Sequence, residues 1–387
     1  MIYNIVLFLL ISSSIFEEYA KTFNEMYFSK VFRYLGLFLL FYLAAFRFET
    51  GGDWPGYIQM YEETSEKTIE PIFSWILKIA RFFNNYQFIF IISMIVRYIC
   101  LHIFIKFFCL KIVNNYSLFL LIYFCMFYFH DDFVTIRQSL AVGIFLLAFL
   151  NIERKSFKNY FLIVLLATCV HFSALILIFL YPFIFKVPSR YNFLLTIVLI
   201  LFSLLHFDPV KTFIEFLYYL LPSNYITFMM FQYTHNASIA FSRGFSGTTY
   251  VYILLFLLLT YTFKSDLFSK QKLCNPLLNS ICIYNMLFFG LFNYMIISLR
   301  LSMFFNLFVV LEVVLIVHKN FKRNLPISVL FILLAFAFNK NIFMAKPSAV
   351  AYLPYQDYFI YTSLNLNSTG KERLDKMSNI TELNRNK

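Results

Sequence analysis

The sequence predicts an all-α polytopic membrane protein with about 10–11 transmembrane segments, and three observations carry that prediction. Of its 387 residues, 61% are apolar, and the aromatics comprise 54 Phe, 28 Tyr and 2 Trp. Charged residues supply 13%, where a water-soluble domain holds about a quarter. The apolar residues fall in runs close to the roughly 20 that a helix needs to cross a bilayer. So little polar surface could not clothe a soluble multidomain enzyme of this size, and disordered, collagen-like and disulfide-scaffold classes fail on the same composition.

Hydropathy places the spans at 2–17, 31–46, 86–108, 116–129, 133–150, 160–185, 191–207, 249–263, 276–298, 302–318 and 325–343. The first opens MIYN, with no basic leader and no small-residue cleavage site, and reads as an uncleaved span. Basic clusters in short loops stay cytoplasmic. Those at Lys21, Lys30 and Arg33, at Lys106 and Lys111, at Arg154, Lys155 and Lys158, at Lys264, Lys270 and Lys272, and at Lys319, Lys322 and Arg323 therefore lie inside. The segment 47–87 and the turns near His130 and Arg300 then lie outside.

Parity fails between the inside loops at 154–158 and 264–272, where three apolar segments stand for an even number of crossings. A broken or re-entrant hairpin over 160–185, with His171 and Ser173 at its tip, restores the count and leaves Lys186 and Arg190 inside. The competing solution, a crossing at 207–221, would bury Lys211, Glu215 and Pro222. Broken helices at membrane depth need protein or a watery cavity to satisfy their backbone.

The external loops are 47–85 and 208–248. In the first, PIFSWILKIARFF sets Ile72, Phe73, Ile76, Ile79, Ala80 and Phe83 on one stripe with Lys78 and Arg81 off it, an amphipathic helix at the interface. Residues 207–222 read as a second one. Residues 1–362 form a single membrane domain by this reading, and 363–387 a polar, disordered tail.

Cys100, Cys109, Cys125, Cys169, Cys274 and Cys282 lie almost all in apolar runs without CxxC pairing, so membrane-core cysteines are a better reading than a zinc site or a disulfide frame. The net charge of +12 is scattered between apolar runs, which sets topology and does not ask for nucleic acid.

The unusual polar residues gather on the outer face: Arg47, Glu49, Asp53 and Tyr57 in RFETGGDWPGY, His130, Asp131, Asp132 and Arg137 in HDDFVTIRQSL, His171, Arg243, Arg300, and Tyr352 and Tyr355 in YLPYQDY. Each has a bland alternative. Arg47 and Arg300 can snorkel to headgroups, Asp131 and Asp132 can be a solvated turn, and His171 can be a satisfied core residue. Arg97 and Glu312, deep in spans, read as a structural ion pair. Against the bland view, external arginines are those that topology does not request. Guanidinium binds phosphate oxygens in pairs and keeps its charge when partly dehydrated, so an anionic ligand such as a lipid diphosphate fits. The GGDWPG turn matches neither GxGxxG nor a P-loop.

Taken in order, FRFETGGDWPGYIQMYE, TIRQSLAVGIFLLA, HFSAL, LRLSMFF and YLPYQDY give the chain a resemblance to the EpsG family, the Wzy-like O-antigen and exopolysaccharide polymerases, over residues 30–358. The resemblance implies a bacterial inner-membrane glycosyltransferase, GT-C-like in architecture, with its active site facing the periplasm. It would move a growing glycan from undecaprenyl diphosphate onto a lipid-linked repeat unit, with no nucleotide sugar, cofactor or metal. A flippase and a chain-length regulator are the implied partners, beside membrane lipids. Carried over by motif, Arg47, Asp53 and Tyr57 match the first block, Arg137 and Gln138 the second, His171 and Ser173 the third, Arg300 the fourth and Tyr355 the last. Trp54 stands where many relatives have tyrosine, and is expected to stack sugar. Arg47, Arg137 and Arg300, with Arg243 as a weaker fourth, are expected to hold the leaving diphosphate, and His171, or Asp53 after it, to take the acceptor proton. Ligase, lipid-linked oligosaccharide flippase and O-acyltransferase readings stay as alternatives. A flippase would favour midplane charges and repeated halves.

Overall fold

A computed structural model describes residues 2–23, 26–63, 70–112, 115–154, 156–220, 274–321 and 346–385, with a few isolated positions such as 249 and 338. Every regular element among them is helical. Two stretches, Gln87–Cys109 and Met295–Val317, are long and apolar enough to cross a bilayer, and five shorter apolar helices accompany them. This composition and helicity are those of a membrane protein. Contacts divide the chain into two compact units, 1–150 with 161–175 and 317–387, and 151–160 with 176–316.

In the first unit, α1 (Ile2–Phe23) packs on α2 (Met26–Ala45), and the short helices α3 (Trp54–Glu62) and α4 (Pro71–Phe82) follow. α5 (Gln87–Ile112), α6 (Tyr116–Met126), α7 (Tyr128–Phe133) and α8 (Ile136–Leu146) follow. Apolar faces gain nothing from each other in lipid, so polar contacts and close packing decide where these helices meet. At the end carrying Arg33, Glu17 accepts from Arg33 Nε at 2.6 Å, from Tyr116 N at 2.9 Å and from Ser117 N at 2.8 Å. Its carboxylate thus sits on the orphan N–H groups that open α6. Asn115 caps the same helix by accepting from Leu118 N at 2.9 Å.

At the opposite end the chain past α2 pairs with the segment near Asp357. Phe48 N donates to Gln356 O at 2.8 Å, and Tyr358 N to Phe46 O at 2.8 Å. Gly51 has φ 105°, and a Cβ there would stand 2.5 Å from the Phe133 carbonyl oxygen. Only glycine allows that turn to lie against α7. Its N–H donates to Ala351 O at 3.0 Å in α16 (Lys346–Tyr352). After α17 (Tyr358–Ser363), the residues expected to be a disordered tail form α18 (Gly370–Arg385). Thr369 directly before it and Glu372 three residues later have the spacing of a capping box.

The run 160–185 is broken, as its length suggests. α9 (Phe157–Thr168) ends in a turn at Cys169–His171, a 3₁₀ turn covers Phe172–Leu175, and α10 (Ile176–Phe185) runs back. Tyr160 Oη donates to Leu177 O at 2.7 Å, and its ring lies 5.0 Å from Tyr181 and 5.6 Å from Phe185. At 1.5 Å per residue each arm measures about 15–18 Å, short of the roughly 30 Å hydrocarbon core.

The second unit holds α10, α11 (Ser189–Leu204), α12 (Pro209–Leu220), α13 (Cys274–Gly290), α14 (Met295–Ser302) and most of α15 (Asn306–Phe321). Hydroxyls and amides join α11 and α10 to α13: Ser203 Oγ donates to Phe289 O at 2.7 Å, and Asn279 Nδ2 to Ile184 O at 3.0 Å. The expected break at 298–302 lies instead at 291–294, so Arg300 sits inside the apolar run Met295–Val317 and does not open a span. Most of the spans at 249–263 and 325–343 falls outside the described residues, as do residues 221–248.

The stripe on α4 is also revised. Phe73, Ile76, Leu77 and Ala80 are buried, whereas Trp75, Ile79, Phe82 and Phe83 form a second, exposed apolar row. Periodicity marked one apolar face where this short helix has two, one on protein and one outward.

Candidate active site

The most concentrated chemistry in the first unit centres on Glu70, the residue before α4. Proline at its neighbour, Pro71, starts that helix. Glu70 Oε1 lies 2.8 Å from His171 Nδ1 and accepts from Phe172 N at 3.3 Å. Oε2 accepts from Arg137 Nη1 at 2.7 Å. A carboxylate only accepts, so Nδ1 of His171 carries the proton and Nε2 of the neutral ring holds the free lone pair. Burial works to raise the Glu70 pKa, but the hydrogen bond with His171 and the Arg137 charge outweigh it and hold the carboxyl below its ordinary range. The His171 and Arg137 side chains keep 17% and 27% of their surface exposed, so both open outward from the buried carboxylate.

Arg137 also lies 5.5 Å over the Phe73 ring, and its N–H meets the Tyr57 hydroxyl at 3.5 Å. Tyr57 is buried, which pushes its hydroxyl pKa up, and it lies within the fields of Arg137, Asp53 and Arg47. The broken run thus supplies His171, the start of α8 supplies Arg137, and the stretch of α3 and α4 supplies Tyr57 and Glu70.

Arg47 is fully enclosed, at 1% exposed, between Phe90 and Phe133 with its guanidinium 5.0 and 4.8 Å from the two rings. Nη1 donates to the Asp132 carbonyl oxygen, whereas Nε and Nη2 have no hydrogen-bond partner among the described residues. It does not snorkel. Asp131 and Asp132 do not form a solvated turn either, since both are buried. Asp132 accepts from Tyr98 and Tyr123 hydroxyls at 2.9 Å each and from Ser139 Oγ at 2.7 Å. Arg97 Nε stands 3.5 Å from its Oδ1. Arg97 therefore pairs with Asp132, where the sequence offered Glu312, a residue of the second unit. A turn that reads as hydrophilic is the polar core of this unit, because three helices, α5, α6 and α8, converge on one carboxylate of α7.

The remaining expected residues scatter in role. Asp53 is exposed at the start of α3 and acts on Tyr57 and Tyr352 through its charge. Trp54 is 4% exposed, its ring covered by protein and not presented as a platform. Gln138 is buried beside Arg137 in α8, and Ser173 Oγ is buried without a hydrogen-bond partner. Tyr355 is half-buried and donates to Leu43 O at 3.3 Å. Arg300 is exposed and belongs to the second unit, and Arg243 lies outside the described residues. Glu70 escaped sequence reasoning because a glutamate in a polar external loop looks solvated. Its position directly before a Pro-initiated amphipathic helix was the available signal.

No curated protein and no solved structure matches the chain. The model of the EpsG family matches residues 30–357, which include Arg47, Glu70, Arg137 and His171. A helical membrane protein matched over that much of its length by one family model belongs to that family: the chain is a member of the EpsG family, which is linked to polysaccharide biosynthesis.

Proposed function

We propose that the protein is a polysaccharide polymerase of the bacterial inner membrane, extending O-antigen or exopolysaccharide at the periplasmic side. The observation that supports this reading is the Glu70–His171–Arg137 cluster, a carboxylate-oriented imidazole beside a half-open guanidinium. In the proposed step, an acceptor hydroxyl of a lipid-linked repeat unit attacks the anomeric carbon of the growing glycan. His171 Nε2 takes the hydroxyl proton as the new C–O bond forms. The bond from that carbon to the diphosphate oxygen breaks, and the electron pair leaves on undecaprenyl diphosphate.

Arg137 is assigned to that anion, since a fixed cation in a water-poor site stabilises the charge as it develops. Glu70 keeps His171 in the tautomer that accepts at Nε2. Arg47, enclosed between two rings, contributes fixed positive charge from behind Tyr57. Asp53 is the second candidate base, and Gln138, Ser173 and Tyr355 the candidate sugar contacts. Arg300 and Arg243 enter this proposal through their motifs alone.

The test is a surface-polysaccharide gel from cells carrying His171→Ala, Arg137→Gln or Arg300→Gln, each checked for insertion. The first two are expected to lose long chains, with extension slowed about 10²- to 10³-fold. Wild-type ladders from both would end the reading. Loss of flipped precursor would favour a flippase instead, and loss of attachment with long lipid-linked chains retained would favour a ligase.

A further inference from the structure

We infer that Arg373, on α18 and beyond the stretch matched by the family model, is a positioning residue for the outer site. Its guanidinium, 5% exposed as a residue, is divided among carbonyl groups of two distant segments, the loop after Arg47 and the stretch 351–356. Nη2 donates to Glu49 O at 2.8 Å and to Gln356 Oε1 at 2.9 Å, and Nη1 donates to Pro354 O at 2.9 Å and more weakly to Ala351 O at 3.4 Å. Glu49 stands two residues after Arg47, and Gln356 O receives the Phe48 N–H that fixes the bridge between Arg47 and Asp357. Ala351 O receives the N–H of Gly51, the residue that turns the chain toward Asp53 and Trp54. One side chain therefore ties together both strands of the bridge and the helix beneath the glycine turn.

The approach is close by design of the sequence. A Cβ on Gly370 would meet Glu49 Cβ at 2.6 Å, so α18 starts where only glycine fits against the loop. Gln356 in turn donates to Thr369 Oγ1 at 3.0 Å and accepts from Ser368 Oγ at 3.0 Å, which fastens the approach to α18 to the same residue. A buried guanidinium is costly, and it is retained here by carbonyls presented in several directions, with the Glu49 charge acting from a greater distance, an arrangement that a planar fork reaches and a single ammonium does not. Fixing Arg47 to within a fraction of an ångström is what such a clamp provides, and a displacement of about 1 Å at a reacting centre can cost about 10²-fold in rate.

The consequence for catalysis rests on the polymerase reading, but the placement does not, and the experiment separates them. The chain has two tryptophans, Trp54 beside the glycine turn and Trp75 on α4. The full-length protein with Trp75→Phe therefore reports on the clamped turn through Trp54 alone. Arg373→Gln and Arg373→Lys in that background are expected to insert normally, to shift Trp54 emission to longer wavelength, and to lower kcat for glycan extension about 10- to 100-fold with KM for a lipid-linked repeat unit unchanged. Wild-type emission and turnover in Arg373→Gln would overturn the inference. A shifted emission with unchanged kcat, or full restoration by Lys, would also overturn it. Should Arg373→Gln fail to insert, the Lys variant decides by the same two readouts. If the unmodified chain extends no lipid-linked glycan, the polymerase reading fails while the emission shift still judges the clamp.

Discussion

Two arginines at opposite ends of the first unit show how differently the fold treats the same side chain. Arg33 donates Nε to Glu17 at 2.6 Å, with Nη2 at the same distance, and Glu17 spends its other oxygen on the opening of α6. That junction is closed: charge meets charge, and the helix end is satisfied. Arg47 is buried more deeply, and among the described residues its guanidinium has a single backbone carbonyl as hydrogen-bond partner and keeps Nε and Nη2 unbonded between two aromatic rings. An unsatisfied buried donor costs about 1–3 kcal/mol, and more when charged, so the fold carries an expense at one end that it avoids at the other. On the proposed function, the difference makes the Arg47 end the one where stability is given up for chemistry.

The sharpest way to break that contrast is the same substitution at both ends. Arg33→Lys keeps a charge opposite Glu17, and is expected to cost a small fall in Tm with normal glycan ladders. Arg47→Lys leaves an ammonium that cannot face two rings and reach the Asp132 carbonyl together. Extension is expected to fall about 10²- to 10³-fold, the usual loss for one preorganised cationic donor. Gel ladders and Tm measured side by side check this, and equal outcomes at the two positions would dissolve the comparison.

Much of this was readable from the residues, for physical reasons. Long apolar runs announced α1, α2, α5 and α11, and the 26-residue run with a histidine at its centre announced a broken hairpin, found at Cys169–His171. Arg47, Tyr57, Arg137 and His171 stood out as polar groups that topology did not request. What escaped has one cause: pairing across distant segments leaves no local pattern. Asp132 looked like turn chemistry until Tyr98, Tyr123, Ser139 and Arg97 converged on it. Glu70 looked solvated until His171, 101 residues later, met it. A tail of low hydropathy read as disordered because one arginine finding distant carbonyls is invisible to composition.

A smaller effect sharpens the outer end further. The Glu70 carboxyl is held below its ordinary pKa in the folded protein, so its contribution to stability is fully present above the unfolded-state value and is lost as pH falls through the depressed folded value. Tm of the purified protein is therefore expected to decline on acidification through that window. Glu70→Gln removes that part of the decline and lowers extension about tenfold at neutral pH, because a neutral amide is a weaker acceptor for His171 Nδ1–H and can turn its NH2 toward the ring, so the tautomer is no longer fixed. An acid limb identical in the two proteins would show that Glu70 is not the titrating partner.

The smallest effect belongs to the closed junction, and it tests whether that end is structural alone. Asn115 accepts from Leu118 N at 2.9 Å, and its amide donates to Ser14 O at 3.2 Å and to Glu18 at 3.1 Å. Asn115→Ala removes a helix cap, which typically costs about 1 kcal/mol, and it also removes the amide that reaches Ser14 O and Glu18 of α1. Tm is expected to fall by a few degrees, with kcat and KM for glycan extension both unchanged, since no group at the outer end is touched. A loss of turnover out of proportion to the fall in Tm would mean that the packing of α1 on α6 reaches the site through Tyr3, whose hydroxyl donates to Tyr352 O at 3.1 Å beside the glycine turn. In that case the two ends would be mechanically coupled, and the division between a finished junction and a reactive one would have to be redrawn along α1.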